Sequence, residues 1–168
     1  KDPTSLNRSQ TSRPLTPGER PTVLLEHTLP DGSAHLDWMI ALTPDAAPTG
    51  PGADEPLLAT FRTDHPPHDP AAWPAPATVS TSTPTPPPGR APALRAERIH
   101  DHRAVYLDRE GPLSAGRGEV RRLERGSALI RAADERRIEL ELRFAERPPI
   151  TLVGERDGPG PWWTFVAR

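Results

Sequence analysis

The sequence predicts a mainly β protein: a single-domain antiparallel β-barrel carrying a long Pro-rich surface insertion. Three observations predict it. Short apolar runs alternate with period 2, as strands covered on one face do. Pro, Gly and Asp separate these runs at short intervals, the pattern of a closed or curled antiparallel sheet. The 168 residues match one domain, and 24 prolines with 34% hydrophobic content leave part of the chain outside any core.

Residues 1–20 (KDPTSLNRSQTSRPLTPGER) are polar and aperiodic and read as a flexible N-terminal arm. The barrel domain is expected over 21–168, and TVLLEH (22–27) is its first strand. Leu29-Pro30-Asp31-Gly32 is a turn. AHLDWMIAL (34–42) then alternates cleanly, with Leu36, Trp38, Ile40 and Leu42 on one face and His35, Asp37, Met39 and Ala41 on the other. The two segments read as a hairpin. A Pro/Gly/Ala loop follows over 43–56, and LLATFRT (57–63) is a third strand.

Residues 64–92 hold ten prolines and the run STSTPTPPPG. Proline lacks the amide donor that a sheet interior needs, so this stretch is expected as a surface insertion. ALRAERI (93–99) resumes the sheet, and a turn-rich segment runs over 100–118. GEVRRLERG (118–126) and SALIRAA (127–133) read as a strand pair. RRIELELRF (136–144) alternates with Ile138, Leu140, Leu142 and Phe144 on one face, although a helix competes over 131–144 because Ala, Glu, Arg and Leu also favour helices. ITLVGER (150–156) and PWWTFVAR (161–168), joined by DGPG, complete about eight strands.

The absence of cysteine excludes disulfides, thiolate metal sites and cysteine nucleophiles. No run approaches the ~18 apolar residues of a membrane span, so a soluble cytoplasmic protein without a membrane partner is expected. Net charge is −2 with a pI near 6.3. No global positive field draws the chain onto nucleic acid, and any such contact must be local, at an end or a single phosphate.

Chemistry concentrates in two clusters. In the first, a strand points His35 and Asp37 to one face, and hairpin pairing brings His27 to the same edge. Two imidazoles and a carboxylate with open positions suit Mn²⁺, Fe²⁺, Co²⁺ or Zn²⁺. On spacing alone the same residues also read as solvated polar groups. In the second cluster, His102 and Tyr106 stand four apart before the Glu110-Gly111-Pro112 turn. Such a His can hydrogen-bond a phosphate oxygen or protonate a leaving group, and Tyr can do the former. A surface loop whose His and Tyr cap turns is the competing reading. Trp38, Trp162 and Trp163 read as core or rim packing. The run Arg117, Arg121, Arg122 and Arg125 is broken by Glu119 and Glu124 and reads as a solvated face.

The order HTLPDGSAHLD, DHRAVYLDREGPLSAGRGEV, GERDGPGPWWTFVAR resembles the 3′-phosphoesterase domain of bacterial DNA ligase D, in its small stand-alone version. The likeness covers 22–63 and 94–168. It implies a bacterial β-barrel enzyme that uses Mn²⁺, with Co²⁺ or Zn²⁺ as alternatives, to trim 3′-phosphate or 3′-ribonucleoside ends of nucleic acid during DNA repair. It further implies a monomer that works beside ligase and repair proteins. Carried over by residue, His27, His35 and Asp37 are the metal ligands, while His102, Tyr106 and Arg95 are catalytic. Two features depart from the family: Met39 stands where a phosphate-binding arginine is usual, and SRPLTPGERP matches its N-terminal Arg-Asp-Phe arm poorly. Arg117 is the candidate substitute for the missing guanidinium. Two other readings compete: a degenerate module that binds a nucleic-acid end or a protein, and a non-haem Fe(II) oxygenase built on His35, Asp37 and His102.

Overall fold

The computed structural model describes residues 12–75 and 92–168. Its strands are β1 (Gly18–Thr28), β2 (Ala34–Ala41), β3 (Pro56–Thr63), β4 (Leu94–Arg103), β5 (Gly111–Pro112), β6 (Glu119–Ala133), β7 (Arg137–Phe144), β8 (Ile150–Arg156) and β9 (Trp162–Ala167). They run in the order β1-β2-β3-β4-β9-β8-β7-β6, all neighbours antiparallel, and β6 returns to pair with β1. The result is a closed eight-stranded barrel, with β5 as an extra strand on β6. Closure removes the exposed edges on which open sheets aggregate. No helix among the described residues is long and apolar enough to cross a membrane.

Alternation places one set of side chains inside. Trp38, Ile40, Phe61, Leu140, Leu142, Leu152, Trp163 and Phe165 fill the barrel. Trp38, Phe61 and Phe165 stand 5.3–5.7 Å apart between ring centres. Each fully buried side chain of this size contributes about 1.5–3 kcal/mol. The Trp38 indole donates to Thr22 Oγ1 at 3.1 Å, and Thr22 donates to the Met39 carbonyl at 2.7 Å, so the buried N–H is satisfied. Gly154 lies against the Phe165 ring, where a Cβ would come within 2.4 Å of a ring carbon.

The opposite face of β1–β3 is covered as well. The segment after β4 folds back across it, and Tyr106, Leu107 and Leu113 pack on Val23, Leu25, Met39, Ala41, Leu58 and Val120. Met39 and Ala41, expected on a polar face, therefore sit in a second apolar cluster. The His35 and Asp37 end of that face lies at its border.

Three boundaries move. Residues 1–11 of the expected arm lie outside the described residues, but 12–20 are part of the fold: β1 begins at Gly18, Leu15 is buried in the barrel core, and Arg13 donates to Asp101. Of the Pro-rich stretch, 76–91 lie outside the described residues. Residues 64–75 pack over a barrel end, with Trp73 in the core donating to the Pro66 carbonyl at 2.8 Å and His68 edge-on to Phe144. Finally, 118–126 and 127–133 are one continuous strand, β6, rather than a pair. Gly126 permits no turn there; it allows Arg143 O to approach within 1.9 Å of where a Cβ would stand. The expected strand over 136–144 is present, and the competing helix is not.

Candidate metal centre

The β1–β2 register sets His27 directly opposite His35, and the turn that fixes this register is the one legible in the sequence. Gly32 takes φ +87° and donates to the Leu29 carbonyl at 2.9 Å, while Ser33 N donates to Asp31 Oδ1. Asp37, one strand repeat beyond His35, shares its face. The ring centres of His27 and His35 are 4.9 Å apart, and one ligand atom from each of His27, His35 and Asp37 lies within 4.8 Å of the others.

The carboxylate of Asp37 is buried, with one oxygen hydrogen-bonded and the other beside the His35 ring. His35 Nε2 is 3.4 Å from Oδ2, and Arg62 Nε donates to Oδ1 at 3.3 Å from the paired position on β3. Burial alone would raise this carboxyl. The His35 ring, the Arg62 guanidinium and His102 outweigh it and hold the group below the ordinary Asp value, so it is ionised.

These residues fit a divalent ion. His35 Nε2 is buried without a hydrogen-bond partner, an arrangement that costs free energy unless the lone pair is used. Two ligands about 2.1 Å from one ion stand roughly 3.0–3.4 Å apart, the range in which the His35 and Asp37 atoms fall. His27 Nε2 lies 2.9 Å from the Arg117 carbonyl, which can only accept. His27 therefore carries its proton on Nε2 and presents an Nδ1 lone pair, the orientation that a metal-ligating His takes from its outer partner.

His102 and Tyr106 lie beside this cluster. His102 pairs with Leu58 near the end of β4, and the chain then makes a 3-10 turn over Ala104–Leu107 that returns Tyr106 to it. Their rings meet edge-to-face at 5.6 Å. His102 Nδ1 donates to the His100 carbonyl at 3.1 Å, leaving an Nε2 lone pair on the neutral ring. Burial lowers the His102 pKa, and the partly opposing charge of Asp37 does not restore it. Between them these effects keep the ring neutral and basic at Nε2 near pH 7.

The structure does not bring Arg95 to the site. Its guanidinium lies 4.6 Å over the exposed Trp162 ring and 4.0 Å from Asp157, on the outer face where β4 meets β9. Nor does Arg117 reach the carboxylate; its Nε and Nη2 donate to the carbonyl and hydroxyl of Ser114. The guanidinium beside the triad is Arg62, which the sequence reading did not single out. Only the β2–β3 register sets it opposite Asp37.

Asp101, buried between His100 and His102 in sequence, anchors this corner. It accepts from Arg98 Nη2 at 2.7 Å and from the Arg13 amide at 3.1 Å. The pairing ties the segment ahead of β1 to the strand that carries His102. Comparison with protein-family models and with curated proteins returns no match to this chain.

Proposed function

We propose that the protein is a divalent-metal-dependent phosphoesterase acting on the 3′ ends of nucleic acid, removing a 3′-phosphate or 3′-ribonucleoside as a DNA-repair step. The convergence of His27, His35 and Asp37 to within 4.8 Å, with neutral His102 alongside, carries this reading. It agrees with the motif order that resembles the ligase D phosphoesterase.

His27 Nδ1, His35 Nε2 and Asp37 would hold a divalent ion, with Mn²⁺ preferred and Co²⁺ or Zn²⁺ acceptable, which would supply Lewis acidity at the phosphoryl group. Arg62 keeps two terminal nitrogens free of Asp37 and supplies the guanidinium that Met39 lacks. His102 Nε2 accepts the proton of the attacking water, because Nδ1 is already committed to His100, and the ester oxygen released as its bond to phosphorus breaks takes a proton from solvent. The Tyr106 hydroxyl donates to a non-bridging oxygen.

The test is a primer bearing a 3′-phosphate or a single 3′-ribonucleotide, incubated with Mn²⁺, Co²⁺ or Zn²⁺ and with EDTA as control. Release of phosphate or nucleoside that His35→Ala abolishes supports the reading. A wild-type protein without turnover under every metal would end it. The second reading, a binding module without catalysis, draws on Met39, which is buried in an apolar cluster and offers no charge to a phosphate.

A further inference from the structure

Beside His102 and Tyr106 lies a cavity of about 670 Å³ whose wall includes His100, His102, Arg103, Tyr106 and Arg117. This volume is within the range that holds a small ligand. Its position matters because two wall residues also belong to the metal-side machinery: His102, and Arg117 through the carbonyl that orients His27.

The charge of this cavity is set by its arginines. Asp101 lines it but is already matched by Arg98 and Arg13. Asp54, the other acid of the wall, is 84% exposed and pairs with Arg103 at 3.1 Å. An exposed pair of that kind is worth about 0–1 kcal/mol and exchanges readily for another anion. Arg117 is held by Ser114 through Nε and Nη2, which fixes the guanidinium, leaves Nη1 to meet an oxyanion and lowers the ordering cost of binding one. The His100 ring stacks on His102 at 4.7 Å with an 11° tilt and is solvent-exposed, adding a second ring to the wall.

We infer that this cavity binds the internucleotide phosphate adjacent to the reacting 3′ end, through Arg103 and Arg117, so that the smallest good substrate carries two phosphates. The inference rests on the phosphoesterase reading for the placement of the reacting end. It explains how an acidic chain meets nucleic acid: two arginines address one linkage rather than a basic track addressing many. Neither arginine was needed for the metal site, and substituting the Arg117 side chain leaves its carbonyl in place for His27.

The experiment uses tetranucleotides with a 3′-phosphate and a neutral methylphosphonate at either the last or the first linkage. Affinity is measured calorimetrically on the whole chain in EDTA, where nothing turns over. Neutralising the last linkage should weaken binding about tenfold, the scale of one charge-assisted contact, and neutralising the first by less than twofold. In Arg103→Ala/Arg117→Ala both substitutions should become equivalent, with unchanged thermal unfolding. Equal effects of the two linkages on the wild-type protein would overturn the inference. Absence of hydrolysis in the separate primer assay would overturn the catalytic reading alone, because the linkage comparison reads binding.

Discussion

The His27 imidazole donates its Nε2 proton to the Arg117 carbonyl across 2.9 Å, joining the end of β1 to the loop beside it. That loop is held by Gly118, which takes φ +94° and lies against β1, so that a Cβ would stand 2.0 Å from the Thr28 carbonyl. Gly118→Ala must therefore shift either the loop or the end of β1. We expect a loss of about 1–3 kcal/mol in stability from the strained conformation, together with a 10–100-fold loss of Mn²⁺ affinity from the misplaced carbonyl. Arg117→Ala keeps that carbonyl and should keep the affinity. Paired denaturant and metal titrations of the two variants check this, and equal metal affinities for Gly118→Ala and wild type would refute it.

Removing a ligand outright should cost more. His35→Ala and Asp37→Asn should each lower Mn²⁺ or Co²⁺ affinity by at least on the order of 100-fold, above the range for outer partners. Asp37→Asn also leaves Arg62 without its carboxylate. Calorimetry with metal alone gives the answer, and circular dichroism confirms that the barrel is retained.

His102→Gln removes the Nε2 base and keeps a polar side chain. The expected loss is about 10²–10⁴ in kcat with little change in KM. Burial holds the His102 pKa below its ordinary 6.5, so the ring is neutral throughout the neutral range. The acid limb of kcat should consequently lie below that ordinary value. A limb centred above it would show that another group is titrating.

How much of this was legible in the chain varied with range. The β1–β2 hairpin and the triad were readable because Asp31-Gly32 forces the turn, and alternation then puts His35 and Asp37 on one face. Interior positions such as Trp38, Ile138 and Leu140 were readable for the same reason. Long-range pairing was not. Arg62 reaches Asp37 only through the β2–β3 register, and Arg95 leaves the site because β4 pairs with β9 at that point. The division of 118–133 into two strands at Gly126 failed because that glycine serves close backbone approach within one strand, which the sequence does not distinguish from a break. Proline content likewise hid Trp73, whose burial depends on where the loop returns.

Trp73 separates a packed segment from a loose one. Trp73→Ala should cost about 3–5 kcal/mol, the usual loss for a buried aromatic. Trp162→Ala should change stability by roughly half a kcal/mol at most, as for other exposed positions; Trp162 is 39% exposed against 4% for Trp73. Urea unfolding of both variants tests whether 64–75 belongs to the barrel. Equal midpoints would mean that this segment contributes nothing to the fold.

Stability itself should depend on pH through two half-buried imidazoles. Burial lowers the pKa of His102, and burial with the nearby Arg147 lowers that of His68. Above the ordinary value of 6.5 both rings are neutral in the folded and unfolded chains, and neither adds any pH dependence. Below it the unfolded chain binds protons that the folded one does not, so the unfolding free energy falls with pH until the folded-state values are passed. Asp37, also lowered, acts in the same direction but only below its ordinary 3.8. In EDTA, the wild-type melting temperature should therefore decline from pH 6.5 to pH 5, and His68→Gln/His102→Gln should decline less over that interval. Parallel slopes for the two proteins would place the pH sensitivity elsewhere in the barrel.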